Sequence, residues 1–445
     1  EPYRRQRQMC IRDSYNFIAI FAAEYFLIFK KRLKIIKMAH LKVINFGAIK
    51  SADIEIKKYN FFIGHTSSGK STIAKLIAIF NNSIFWAIKE GNFKALTNLL
   101  EKYNINFSFD SSTKIQYRNE KYIWEIELNK FHSNYKDADL MEMANTSESY
   151  DFILKFIEKK ESESSLKDLI DALKNSIKDD KLKKENAFFS NFIKPLLMSV
   201  IYEECIPVYI PAERLLISTF SNSIFSLLQA GASIPDCIKD FGSLYEKARM
   251  QYKNIDIDIL NIQVSFNNNG DTIYLTNEHK ELKLSQASSG IQSIIPLWTV
   301  FNQYVESKKK QMLVIEEPEL NLFPSTQHFL IDWIMRKMRK SNGSIVITTH
   351  SPYVLSVVDN LIFAQEVLKK SNNKKLVLPK IKELIPSMAL IDFDDVSSYF
   401  FHSNGTVKDI RDTDIKSLGA EYIDEASNEL GHIFDELCNI ERDGL

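Results

Sequence analysis

Little in this sequence points to a covalent or metal framework. Its 445 residues include only four cysteines, Cys10, Cys205, Cys237 and Cys438, so far apart that no CxxC or Cys/His spacing occurs. That argues against a disulfide scaffold and a zinc site, and a reducing, cytoplasmic setting fits best. Charge of one sign is equally lacking: Lys+Arg and Asp+Glu number 57 each. No global attraction therefore draws the chain to nucleic acid or to an anionic membrane, and any such contact needs a local patch. Long hydrophobic runs are missing too. The apolar stretch at 15–29 is too short to span a bilayer, carries Asn16 and Glu24, and has no small-residue cleavage site, against both a membrane anchor and a signal peptide. No internal repeat is visible. What is present, 45% hydrophobic and 26% charged residues, suits a core-forming chain of one large or two ordinary domains.

The opening Arg4-Arg5-Gln6-Arg7-Gln8-Met9-Cys10-Ile11-Arg12-Asp13 resembles translated sequencing-adapter sequence, and Met38 offers a start. Residues 1–37 are expected to stand outside the native fold, with 38–445 forming the domain. From Met38, Leu41, Val43 and Ile44 lead to Asn45-Phe46-Gly47, and Ala52, Ile54 and Ile56 then alternate with charged residues, the pattern of a half-buried hairpin. Asn60-Phe61-Phe62-Ile63 is a short apolar run suited to a strand buried on both faces, followed by Ile73, Leu76, Ile77 and Phe80 at helical spacing. Residues 81–205 are less regular and are expected to be an insertion, with a hairpin at 114–117 and 122–128. Its helix-prone part, 150–201, is interrupted by Pro195 and shows no sustained heptads, so a long coiled-coil arm is not expected. Strand signals return at 208–210, at 262–266 and 272–275 across Asn269-Gly270, at 312–315 and at 345–348. A hairpin at 397–410, turning at Asn404-Gly405, and an amphipathic helix at 418–440 close the chain.

Four motifs carry chemistry. Gly64-His65-Thr66-Ser67-Ser68-Gly69-Lys70-Ser71 fits G-x-x-x-x-G-K-[ST] between a buried strand and a helix, the context that gives this pattern meaning. Its glycines let backbone amides face a phosphate of ATP, Lys70 is placed for the β- and γ-phosphates, and Ser71 offers a hydroxyl to Mg²⁺, with Thr72 next in the same helical turn. Met312-Leu313-Val314-Ile315-Glu316-Glu317-Pro318-Glu319 is an apolar strand ending in carboxylates, where ligands of parallel sheets sit. Two acids there can divide the labour: Glu316 holds the Mg²⁺ shell and Glu317 polarises the attacking water. Ile345-Val346-Ile347-Thr348-Thr349-His350-Ser351 is a second buried strand ending in a polar group. His350 there is either a γ-phosphate contact or a structural residue. Ser288-Ser289-Gly290, before an apolar helical stretch, is either another anion-binding helix start or an ordinary N-cap.

In this order the motifs resemble those of ABC-type ATPases, and in detail the OLD/SMC-like branch. The likeness also rests on Asn45-Phe46-Gly47, Ile210-Pro211-Ala212-Glu213-Arg214, Glu316-Glu317-Pro318-Glu319 and Thr348-Thr349-His350-Ser351-Pro352. The resemblance implies an α/β ATPase head: a P-loop mixed sheet with flanking helices, an antiparallel β subdomain and a helical insertion. It implies a head-to-head homodimer in which Ser288, Ser289 and Gly290 of one subunit complete the site that holds Lys70 of the other. Glu317 would be the catalytic base, His350 the γ-phosphate sensor, and Glu213 or Arg214 a neighbour of the nucleotide in place of a missing glutamine. The sequence departs from the pattern in having Glu316 where many relatives have Asp, in lacking a second signature glycine, and in showing no evident Toprim domain, for which Asp392-Phe393-Asp394-Asp395 is the sole candidate. The expected role is an ATP-driven switch in anti-phage defence or DNA maintenance, with a separate effector, possible DNA contact and no membrane. The alternatives are a module that uses ATP only as a dimerisation ligand and, below it, a transporter ATPase subunit.

Overall fold

The structure, a computed structural model, describes residues 39–82, 85, 91–119, 123–134, 207–219, 231, 233–267, 270–307 and 311–419. The expected leader at 1–37, the helical part of the insertion at 150–201, Asn269 of the expected turn and nearly all of the helix at 418–440 lie outside them. In chain order the elements are β1 (Ala39–Phe46), β2 (Ile49–Ile56), β3 (Tyr59–Gly64), α1 (Lys70–Phe80) and α2 (Phe93–Lys102). Next come β4 (Lys114–Arg118), β5 (Ile123–Glu127), β6 (Lys130–Ser133), β7 (Val208–Ile210), α3 (Leu215–Thr219) and α4 (Asp236–Gln251). A second group follows: β8 (Asn254–Ile257), β9 (Ile262–Ser265), β10 (Thr272–Leu275), β11 (Lys280–Lys283) and α5 (Ser289–Glu306). Then come β12 (Met312–Glu316), α6 (Pro324–Lys340), β13 (Ser344–Thr349), α7 (Pro352–Lys370), α8 (Lys374–Leu384), β14 (Val396–Phe401) and β15 (Val407–Asp409), followed by the short paired strands β16 (Arg411–Asp412) and β17 (Ser417–Leu418).

This is a mixed α/β fold whose centre is a six-stranded sheet in the order β15-β14-β3-β13-β12-β7. Five strands run parallel and β15 is antiparallel at the edge. The near-continuous apolar runs of β3, β12 and β13 are buried throughout their lengths apart from terminal residues, as strands covered on both faces must be. The expected hairpin at 397–410 does more than close on itself. Its first strand, β14, pairs in parallel with all of β3 and is buried at every position. Asn60 secures this neighbourhood: its amide donates to the carbonyls of Lys57 and Ile345, both at 2.8 Å, and its oxygen accepts from Ser397 Oγ at 2.7 Å, tying β3 to β13 and β14.

The β1–β2 hairpin forms with Leu41 opposite Ile54 and Val43 opposite Ala52. β4 then pairs with β1, so the sheet grows to five strands in the order β2-β1-β4-β5-β6. The described part of the expected insertion is thus built into the antiparallel subdomain. Aromatic packing explains the join: Phe80, at the end of α1, stacks on Tyr117 at 4.8 Å between centroids, and Phe85 packs on Trp124 and Phe131. α1 is held between this sheet and the central one, which accounts for its burial from Ile73 to Phe80 on more than one face. A third, four-stranded sheet, β11-β10-β9-β8, stands before α5. α5 is pinned to α6 by Trp298 and Trp333, stacked at 3.5 Å. Among the described residues no helix is long and apolar enough to cross a membrane.

Candidate functional site

The carboxyl ends of three adjacent parallel strands build the site. β3 runs into the loop at 64–69, β12 into Glu317, and β13, lying between them, into His350. At the start of the loop Gly64 has φ +146°, and a Cβ there would overlap the carbonyl oxygen of Phe401. His65 N–H donates to that same oxygen at 3.3 Å, so the end of β14 forms the floor of the loop. Thr66 and Ser67 form its exposed crest, with Ser67 in the left-handed region at φ 60°. Ser68 Oγ closes it by donating to the His65 carbonyl at 2.7 Å. Gly69, the residue before α1, is also left-handed. No side chain caps this helix and its first turn holds no acid, so its leading N–H groups suit an anion.

Lys70 is buried under the loop. Its Nζ donates to the carbonyls of Gly64 at 2.9 Å and His65 at 2.7 Å, and lies 3.5 Å from His350 Nδ1. Burial lowers its pKa to about 8, opposed by the negative charges of Glu317, Glu319 and Glu316. On its other nitrogen, Nε2, His350 lies 3.3 Å from Glu317 Oε1. This contact leads the causes that hold the Glu317 carboxyl below its ordinary range, against partial burial, and it is joined by the charges of Lys70 and Arg214. Lys70, His350 and Glu317 therefore form one continuous polar cluster. Glu317 also sits in the left-handed region, φ 43°, with its N–H donated to the Thr348 carbonyl at 2.9 Å. Such a backbone in a non-glycine residue is uncommon and costs about 1–3 kcal/mol, so the surroundings must hold it.

Glu316 is different in kind. It is nearly fully buried, burial raises its pKa, and the groups that favour its charged form include the Lys75 ammonium and the Ser71 hydroxyl. Its Oε1 is buried without a hydrogen-bond partner. A buried carboxylate oxygen left unpaired is costly, and one beside a helix-start hydroxyl fits a hard divalent cation such as Mg²⁺. Among the described residues no cluster of three or more His, Cys, Asp or Glu side chains could hold a metal by itself. That suits an ion completed by phosphate oxygens and water.

Two residues organise this cluster in ways the sequence does not show: it gives Glu319 no role, and Arg214 only a place near the nucleotide. Glu319 Oε1 accepts from Thr349 Oγ1 at 2.6 Å and from the His350 N–H at 3.0 Å, so the third acid of the run fixes the base of the histidine. Arg214 lies beneath the site. It is fully buried, and burial lowers its pKa to about 10. Its donors are committed to carbonyls, including those of Glu316 at 2.8 Å and Glu317 at 2.7 Å. The resemblance implies Glu213 or Arg214 beside a nucleotide; in the structure Arg214 supports the acidic turn from below. Glu213, its neighbour, contributes negative charge to the field on Glu316. Asp392 pairs with Lys369 at 2.8 Å and caps the turn at 393–395, at the amino end of β14 and so at the opposite edge of the sheet from the loop at 64–69.

Ser288, Ser289 and Gly290 are not joined to that loop by any hydrogen bond among the described residues. Ser288 occupies the N-cap position of α5, but its side chain makes no capping hydrogen bond. Ser288 and Ser289 are exposed and Gly290 is buried. A Cβ on Gly290 would lie 2.7 Å from the Asn321 carbonyl oxygen and 3.3 Å from Leu322 Cδ2. The glycine is therefore required within its own chain, to let α5 approach the loop that follows Glu317. Gly290→Ala is expected to cost about 1–3 kcal/mol of stability through this overlap, read as a lowered urea midpoint. An unchanged midpoint would show that the loop yields freely.

The model of the AAA ATPase domain family (AAA_15) matches residues 37–355, a span that contains all four motifs. No curated protein matches the chain. Similar solved structures include three SMC heads at low identity. The Smc head domain with an extended coiled coil bound to the C-terminal domain of ScpA, from Pyrococcus furiosus, is 12% identical with a TM-score of 0.36, covering 89% of this chain and 99% of that one. The SMC head domain from Thermotoga maritima is 11% identical with a TM-score of 0.33, covering 72% of this chain and 92% of that one. An SmcHead bound to the C-winged helix domain of ScpA is 10% identical with a TM-score of 0.33, covering 73% of this chain and 92% of that one.

Proposed function

This chain belongs to the AAA ATPase domain family, and from there we propose that it is an ATP-hydrolysing switch of the ABC type, working as a head-to-head homodimer. The observation that carries the reading is the continuous cluster of Lys70, His350 and Glu317 at the ends of adjacent strands beside a P-loop. Lys70 binds the β- and γ-phosphates, exchanging its bonds to the Gly64 and His65 carbonyls for phosphate oxygens. Ser71 and Glu316 would hold Mg²⁺, which when bound neutralises charge on the phosphates. Glu317, kept ionised by His350, accepts a proton from the attacking water. His350, anchored at its backbone by Glu319, sits between base and lysine, where it senses the γ-phosphate. Phosphoryl transfer needs this positioning and charge neutralisation more than covalent help.

The exposed Ser288 and Ser289, apart from their own P-loop, suit a signature that meets the nucleotide of a second copy. ATP thereby closes two chains on each other and hydrolysis releases them. By the motif resemblance to the OLD/SMC-like branch, the closed dimer serves anti-phage defence or DNA maintenance, acting on a separate effector with DNA as a possible partner. Ser288→Glu tests the arrangement. A carboxylate at a helix start favours the chain's own fold but repels a partner's phosphates. ATP binding to the isolated chain should persist while ATP-dependent dimerisation, measured by light scattering, is lost. A dimer as stable as the parent's would count against the reading.

A further inference from the structure

We propose that Arg214 is a positioning residue for hydrolysis, its guanidinium fixing the turn that carries Glu317 and locking that turn to the helix that begins at Ser289. The proposal rests on Glu317 acting as the base. Arg214 is held in place by what precedes it: its Nη1 donates to the Pro211 carbonyl at 3.1 Å. From there the same fork spans two elements far apart in sequence. Nη1 and Nη2 reach the Glu316 and Glu317 carbonyls, with Pro318 at 3.4 Å, and Nε reaches the Ser293 carbonyl of α5 at 3.1 Å. The planar guanidinium alone can do this, because it presents donors in several fixed directions at once. The need is visible in the turn itself, where Glu317 has a left-handed backbone and its neighbours Glu316 and Glu319 are buried acids.

The residues after Arg214 extend the lock to the signature loop. Ser218 Oγ donates to the Gln292 carbonyl at 2.7 Å and Thr219 Oγ1 to Gln292 Oε1 at 3.0 Å, while the Gln292 amide holds the Ala287 carbonyl at 2.8 Å. The segment 211–219 therefore joins the two parts of this chain that contact nucleotide in the proposed dimer, the signature and the catalytic turn, and Lys70 bonds instead to Gly64, His65 and His350.

A double-mutant cycle in the full chain separates positioning from general support. Arg214→Lys keeps the buried charge and loses the fork; Arg214→Gln keeps two hydrogen-bonding groups and loses the charge. In the variant that retains ATP affinity within about threefold, turnover at saturating ATP should fall by on the order of 100-fold, the effect of misplacing a reacting group by about 1 Å. In a Glu317→Gln background the same change should cost little more, because the group it positions has been disabled. An equal loss in both backgrounds overturns the proposal, as does loss of ATP binding in both Arg214 variants. Parental turnover in Glu317→Gln alone overturns the assignment of the base, a separate result read from the same cycle.

Discussion

Glu317→Gln is expected to leave ATP affinity within about threefold of the parent and to slow hydrolysis by about 100- to 10,000-fold, the usual worth of a general base. The amide has the carboxylate's shape and can keep the backbone of the turn, which is held through the Glu317 N–H and carbonyl and not through the side chain. What it loses is the ability to take a proton and the charge that faces His350 Nε2 at 3.3 Å. With closure intact and release blocked, the variant should accumulate as an ATP-dependent dimer. Single-turnover hydrolysis and light scattering on the same sample check both halves. Turnover within tenfold of the parent would assign the proton acceptor elsewhere.

Lys70→Ala should act one step earlier. It removes the ammonium buried beneath the P-loop, whose Nζ lies within 3.5 Å of both loop carbonyls and of His350. Two charge-assisted bonds to phosphate are together worth about 3 kcal/mol, so ATP affinity should drop on the order of 100-fold. Lys70→Arg should not restore it, because a planar fork does not fit the compact space filled by an ammonium. Equilibrium binding of a fluorescent ATP analogue gives the answer, and parental affinity in Lys70→Ala would remove the basis for placing phosphate there.

The contrast between these residues and Arg214 shows what a sequence makes legible. The P-loop and the strand ends announce themselves through local order, since a short apolar run followed by Gly64 or by Glu316-Glu317 fixes both element and edge. The parallel strands β12 and β13 follow from the same uninterrupted runs. Pairing between distant segments leaves no such trace. Val396 to Phe401 reads as half of a local hairpin because Asn404-Gly405 supplies a turn; that it also pairs with β3 depends on Asn60 and Ser397, which are 337 positions apart. Likewise β4 to β6 read as part of an insertion, and only the packing of Phe80 on Tyr117 joins them to the first hairpin. Arg214 in Pro211-Ala212-Glu213-Arg214 reads only as a neighbour of the nucleotide, with nothing to show that it holds the acidic turn. Its partners are backbone carbonyls, which carry no residue-specific signal. Glu319 was legible as one of three clustered acids, but its task depended on the register that sets Glu316 beside Thr348. Gly290 was legible as part of a signature that would meet a second chain, yet the surface it approaches in the structure is the Asn321 carbonyl of its own chain.

That last point decides how the shared site is best tested. A bulky residue at Gly290 would disturb the Asn321 carbonyl within the chain, whereas Ser288 is exposed and can be changed without such a clash. Mixing Lys70→Ala chains with Ser288→Glu chains in equal amounts gives dimers of which the mixed ones hold one intact site, the Lys70 and Glu317 of one chain facing the Ser288 of the other. Because neither variant closes into a dimer with itself, the dimers that form are mixed and each uses one of two sites, so if the sites turn over independently activity should recover to at most about half of the parental value. Activity no higher than the sum of the two residual activities, with mixed dimers confirmed, would mean that each chain handles ATP alone.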